Sequence, residues 1–337
     1  MTARSAAAYA LATAGLALLT LAALGLGRFP VSAGELAALL ANHLFGASYD
    51  IAPTAETVVL QVRGPRILAA LLVGGALAAA GTAYQGMFRN PLVSPDILGV
   101  SAGAALGAVL GIFFSQSALV IQLAAFAGGL AAVGLVYAVG ASVRRHDPIL
   151  SLILAGIVLG TLLGALIALI KYLADPYNQL PAITYWLMGS LAAVSPRDLA
   201  LAAPFALAGL VPLYLLRWRM NLLSLADDEA RALGISVGRL RLAVVCAATL
   251  MTASAVAISG IIGWVGLLIP HAARMLVGPE FSRLLPLAML LGAAFLLAVD
   301  TLARTVAPIE VPPGVLTALV GTPFFLWIFA SARRAWQ

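Results

Sequence analysis

The sequence predicts an all-α polytopic membrane protein, on three observations. Hydrophobic residues make up 63% of 337 and charged residues only 9%, with a mean hydropathy of +1.06. Soluble domains carry about 25% charged residues, so most of this surface is made for lipid. The apolar residues gather into runs that match a bilayer core about 30 Å thick, which takes roughly 20 residues of helix. Most arginines fall between those runs and, once the runs are threaded through a membrane, on one side of it.

Clear runs are 6–27, 66–88, 97–114, 118–143, 149–173, 199–216, 284–303 and 314–331. The first is long for the apolar region of a signal peptide and has no clear small-residue cleavage site, so it is expected to be a retained helix. The stretch from Leu242 to Gly278 is too long for one helix. Gly260, Gly263, Gly266 and Pro270 interrupt it, which predicts one helix, a break and a short second helix. Ten spans result. With the N-terminus in the cytoplasm, ten spans leave only Arg28, Arg63, Arg66, Lys171, Arg197 and Arg304 on the outer side. The remaining arginines, Arg144, Arg145, Arg333 and Arg334 among them, lie inside. The net charge of +6 thus records membrane orientation and predicts no nucleic-acid partner.

Arg63 and Arg66 stand at the mouth of the second span in LQVRGPRILAALLVGG, and Arg304 ends the ninth. Basic residues are disfavoured on that side. Either these three snorkel to lipid headgroups, or they dock an acidic partner in the outer compartment.

Several chemistries are missing. The only lysine, Lys171, has no glycine loop before it, so the G-x-x-x-x-G-K-[ST] phosphate loop is absent. Cys246 lies alone in an apolar run, and His43, His146 and His271 sit at or beyond helix ends, so neither a catalytic constellation nor a metal site is expected. Asp300 is the one candidate intramembrane carboxylate, and its spacing from Arg304 predicts an i,i+4 pair.

Glycines four apart line one helix face and let a neighbouring backbone approach closely. Gly103, Gly107 and Gly111 form one such ladder, and Gly156, Gly160 and Gly164 another. Both predict close packing; the alternative for the second is a helix that moves against, or lines, a central passage. Residues 183–191 predict a short helix near the outer interface, an interfacial connector or a gate, and Ser195, Pro196 and Asp198 predict the cap of the sixth span. The most polar stretch, about 218–240, predicts a structured cytoplasmic knob. Ser224 is expected to cap a short helix holding Asp227, Asp228, Glu229 and Arg231, and Gly234 to end it in the left-handed conformation.

The segments RGPRIL, RNPLVSPDILGVSAGAALGA, LAGIVLG, YWLMGS, DDEARALGISV, GWVGLLIPHAAR and VPPGVLTALVGTPFFLW together resemble the FecCD-type permeases of type II ABC importers, over nearly the whole chain. That resemblance implies one permease domain over 1–337 with ten helices, sited in the bacterial inner membrane with both termini cytoplasmic. It also implies a homodimer, two copies of a separate ATPase that carry the ATP and magnesium, and a periplasmic binding protein. The chain itself then holds no cofactor and is a transport subunit rather than an enzyme. By position, Arg63, Arg66 and Arg304 match arginines that pair with glutamates of the binding protein. Residues 224–234 match coupling helices that fit the ATPase, Asn90 and Leu92 match a cytoplasmic gate, and the Gly156–Gly160–Gly164 helix matches a pathway-lining helix. The expected cargo is an iron chelate, haem or a ferric siderophore, with cobalamin as the alternative. Two other classes remain: an ion-coupled secondary transporter dependent on Asp300, and a structural or channel-like component without coupled transport.

Overall fold

The computed structural model describes residues 3–142 and 148–334, with side chains to residue 327; Arg144, Arg145, His146 and the side chains of Arg333 and Arg334 lie outside the described residues. Among the described residues the regular structure is helical. The first helix, α1, runs Ala3–Gly25. An amphipathic helix that the apolar runs did not announce follows, α2 at Ala33–Phe45. Its capping box is complete: Ser32 accepts from the Glu35 amide while the Glu35 carboxylate accepts from the Ser32 amide, and Gly46 ends it with φ 66°. At 13 residues it is too short to span a bilayer.

The second predicted span begins earlier than expected. Helix α3 (Pro53–Thr57) passes through a π-helical turn at Val58–Arg63 into α4 (Gly64–Phe88). Pro65 has no amide hydrogen to donate into the preceding turn, and the neighbouring Gly64 amide reaches back five residues to the Val59 carbonyl. There follow a 3-10 turn at Pro95–Leu98, then α5 (Val100–Phe113), α6 (Ala118–Ser142), α7 (Pro148–Leu173), α8 (Gln179–Leu187) and α9 (Pro196–Leu215). Ser195 and Asp198 form the expected cap of α9 reciprocally, with Pro196 at its first position.

Helix α10 (Arg217–Met220) and a 3-10 turn (Asn221–Ser224) lead to α11 (Asp227–Ala232) and α12 (Val237–Ser259). The expected break follows, at residues 260–264. The chain closes with α13 (Val265–Val277), α14 (Phe281–Ala303) and α15 (Pro313–Arg334). Seven of the described helical segments are long and apolar enough to cross a membrane, and α5, α13 and α15 are shorter apolar segments; these are the ten predicted runs.

Helices α4, α12 and α14 form the centre, with α1, α6, α7 and α9 at the rim. Small residues set the central spacing, as expected where lipid offers no hydrophobic drive between helices. A Cβ on Gly81 would overlap the Gly266 carbonyl, so α4 and α13 cross at backbone contact. The first glycine ladder is such a seam: substituents on Gly103 and Gly107 would strike the carbonyls of Gly128 and Ala124 on α6. The second ladder divides. Gly156 abuts the Ile97 carbonyl, whereas a Cβ on Gly160 or Gly164 would meet nothing within 4 Å. Close packing therefore accounts for only one glycine of the three.

Candidate functional site

Three regions concern function, one at each end of the bundle and one along its bare wall. At the first end the sequence predicts exposed arginines, and the structure corrects that expectation. Arg63, Arg66 and Arg304 retain only 4%, 8% and 7% of their accessible surface. Arg63 donates to the carbonyls of Leu24, Gly25 and Phe29, and Arg304 to those of Ala23 and Leu26. A helix leaves its last carbonyls without internal partners and bears partial negative charge there. These two guanidiniums close the end of α1, which has no basic residue of its own in its last turn.

Arg66 faces inward instead. Its Nε lies 2.9 Å from both oxygens of Asp300, its Nη2 lies 2.9 Å from Oδ1, and its Nη1 bonds Glu310. Asp300 is fully buried. The expected Asp300–Arg304 pair is present but long, at 3.9 Å, because Arg66 takes the carboxylate head-on. The cluster ties α1, α4, α14 and the 304–312 loop together. Snorkelling is excluded for these side chains, and so is a plate of exposed cations. Glu310, which composition-level reading passed over, is the one member with substantial exposure, at 26% of its side chain. An acid in the apolar loop segment VAPIEVPP was the available signal.

At the other end, α11 is pinned through Asp227, which bonds Arg241 at 2.7 and 2.9 Å and Arg89 at 2.8 Å. Burial works against its charge, but hydrogen bonds and charge from Arg241 and then Arg89 outweigh it and hold its pKa below the ordinary carboxylate range. A depressed folded-state pKa contributes stability that is fully present above the unfolded value and lost as pH falls through the folded one. The anchor is therefore expected to release only in acid. Ser224 does not cap α11; it ends the preceding 3-10 turn and donates to the Asn221 carbonyl. Glu229 does the capping by accepting from the Ala226 amide, and Gly234 ends the helix with φ 82°. Asp228 projects outward, 94% exposed, beside Arg231 at 3.1 Å. Asp227→Asn is expected to free α11 and speed protease cleavage within 224–237, whereas Asp228→Asn leaves the cleavage rate unchanged. Equal rates for the two variants would remove Asp227 as the anchor.

Asn90 and Leu92 lie close to that anchor, just past the left-handed Arg89 (φ 51°) that ends α4. The Asn90 side chain accepts from the Leu92 amide at 2.9 Å, leaving Leu92 half-exposed at the turn's tip.

Along the wall, α7 is almost uncovered: Leu154, Ile157, Val158 and Leu162 are exposed, and Lys171 is its only charge. Elsewhere, a cavity of about 750 Å³ opens among Met188, Ile261, Trp264, Gly314, Leu319 and Thr322. The end of α8, the 260–264 break and the start of α15 meet there. Ser190 donates to Ser259 at 2.8 Å and Gly314 to Met188 at 3.2 Å. Trp264 holds a left-handed backbone (φ 70°), a strained state for a bulky residue. Its ring lies against Gly321 and edge-on to Phe325. No three His, Cys, Asp or Glu side chains gather as metal ligands among the described residues.

Residues 15–331 match the FecCD transport family. The chain belongs to that family. The FecCD chain is 42% identical over 312 residues to the molybdate import permease MolB of Haemophilus influenzae, covering 92% of this chain and 91% of the relative. It is 41% identical to the hemin transport permease HmuU of Yersinia pestis (82% and 84% covered), and 40% identical to the cobalamin import permease BtuC of Halobacterium salinarum (89% and 81%). Among solved structures it is similar to an inward-facing ABC transporter assigned to the metal-chelate type, with TM-score 0.86 and 40% identity over 95% of this chain and 97% of that one. A second structure, PsaBC from Streptococcus pneumoniae, shares the fold alone, at TM-score 0.56 and 17% identity over 78% and 90%. The FecCD chain is thus an ABC importer permease with the helical class read from its sequence. Membership implies ATPase and substrate-binding-protein partners.

Proposed function

We propose that this chain translocates a metal chelate, haem or a ferric siderophore, into the cytoplasm by alternating access. Two copies enclose the pathway, and each rests through α11 on an ATPase that supplies ATP and magnesium. Asn90 and Leu92 narrow the inner exit. The Asp227 end is cytoplasmic on the charge distribution, and the Asp300 end faces the periplasm and the binding protein.

The observation that carries this reading is the bare wall. Over 26 residues α7 offers apolar side chains, two unpacked glycines and one lysine at its end. Such a surface suits a metal already wrapped in an organic ligand, as in the cargo named for the hemin relative. A naked oxyanion needs fixed donors or cations to replace its water, and this wall has few.

The test is uptake into proteoliposomes holding the chain with its ATPase and binding protein. Haem, ferric siderophore, cobalamin and molybdate are offered in parallel. Uptake of haem or ferric siderophore that stops without ATP is the expected result. Uptake of cobalamin or molybdate would keep the importer and replace the cargo, while uptake that persists without the ATPase would overturn both.

A further inference from the structure

The Asp227 end of the bundle carries more positive charge than its own acids neutralise. Residues 217–241 hold five arginines and three acids. Each acid is committed: Asp227 to Arg89 and Arg241, Asp228 to Arg231, and Glu229 to the Ala226 amide. Arg217 lies over the Tyr214 ring at 4.0 Å. Arg219 and Arg239 are exposed, and among the described residues neither meets a carboxylate.

These two arginines line one cleft of about 450 Å³, where the end of α9, α10 and the start of α12 meet. Its exposed lining is polar, with Arg219, Ser236 and Arg239, and its more buried lining is apolar, with Leu216, Leu240 and Ala243. Arg239 donates through Nε to Ser236 Oγ at 3.0 Å, which leaves its two outer nitrogens open. Ser236 is the N-cap residue of α12, yet its hydroxyl caps no amide. Leu215 and Leu242, next in the chain to two of the apolar lining residues, are exposed, as are Tyr214 and Trp218. Helices α9 and α12 are both long and apolar enough to cross a membrane, and the cleft sits at the ends of both. It therefore lies at the level where a bilayer gives way to water, the level at which tyrosine and tryptophan gather.

We propose that this cleft binds the phosphate of an anionic glycerophospholipid. The phosphate sits against Arg219 and Arg239 and accepts from the Ser236 hydroxyl, while an acyl chain leaves over Leu216 and Ala243 along the seam of α9 and α12. Arginine suits the task because its planar fork matches phosphate oxygens and is weakly hydrated. A free phosphate would satisfy the same guanidiniums but leave the apolar half of the cleft in water, and this favours the lipid. Gly234, which ends α11, lines the same cleft, so a bound headgroup also braces the end of the knob. The site is independent of which cargo the importer carries.

The test is native mass spectrometry of the permease–ATPase complex, titrated with phosphatidylglycerol, with phosphatidylcholine of the same chains and with glycerol phosphate. Phosphatidylglycerol is expected to bind about thirtyfold tighter than phosphatidylcholine at one site per permease, the weight of two arginines beside anionic headgroups. Arg219→Gln with Arg239→Gln is expected to erase that preference, and the corresponding pair of lysines to keep most of it. Arg4→Gln, which takes one charge from the same end beside Met275, leaves the preference intact. A preference that survives the double glutamine variant, or falls equally in Arg4→Gln, would overturn the site. Glycerol phosphate bound as tightly as the lipid would overturn the lipid and make the cleft a site for a soluble phosphate. A preference present in the isolated chain and absent from the complex would overturn it too, giving the two arginines to the ATPase surface.

Discussion

Asp300→Ala is expected to lower the stability of the folded chain by about 3–5 kcal/mol, the cost of breaking a buried ion pair from one side. The carboxylate is fully buried and both its oxygens lie on Arg66. Its loss strands Arg66 with Glu310 alone and deprives Arg304 of its nearest counter-charge. Because Arg304 also closes α1 and Arg66 sits at the head of α4, the damage reaches three helices. Asp300→Asn keeps shape and one acceptor and should cost less. Arg66→Met combined with Asp300→Ala should recover part of the loss, since the two share one interaction. Unfolding of the purified protein by graded denaturing detergent reads all three. A single variant that unfolds with the wild type would show that the cluster contributes nothing to stability. The same experiment separates the ion-coupled alternative. A carboxylate needed only for coupling would abolish transport in Asp300→Asn without moving the unfolding curve.

Gly81→Ala is the second large effect. The added methyl falls on the Gly266 carbonyl, where α4 meets α13 with no side chain between them. No flexible group can step aside, so two backbones must part, at or above the upper end of the roughly 1–3 kcal/mol usual for overpacking. Gly160→Ala is the matched control. Its methyl enters open space, and a helical Gly→Ala exchange is worth about 1 kcal/mol in favour of the helix. The two substitutions should therefore shift detergent unfolding in opposite directions. If both are neutral, the helices are not in backbone contact. If Gly160→Ala preserves folding yet slows uptake, the face left open within one chain meets cargo or a second copy.

The apolar architecture was legible because hydropathy alone defines a bilayer span; the 260–264 break holds Gly260 and Gly263, whereas Gly266 and Pro270, expected to interrupt the run as well, lie inside α13. Helix α2 escaped because its 13 residues mix Leu36, Leu39 and Leu40 with Glu35, Asn42 and His43, a pattern that no search for long apolar runs detects. The cap of α9 and the end of α11 at Gly234 were readable, since such motifs are local. Ser224 was misread for the same reason: Ala226 and Glu229 serve as well, and nothing in the spacing chooses between them. The arginines were located but not understood. Arg63 meets residues 24–29 and Arg304 meets residues 23 and 26, so their partners lie 34 to 281 positions away. Only the folded chain brings a helix end that lacks a basic residue to two arginines from elsewhere.

The arginine cluster also bears on how the chain is made. Arg63 and Arg66 leave the ribosome more than 230 residues before Asp300 does. Throughout that interval the head of α4 carries one cation, Arg66, whose carboxylate partners do not yet exist and which disfavours burial. That end of the central helix can therefore be buried with Arg66 paired only when synthesis has passed Asp300 and Glu310. A product truncated before residue 300 would keep that end hydrated and open, marking it for membrane proteases. Completion of the chain and closure of that end of the bundle become a single event, and a nearly finished permease is unable to pass as a finished one.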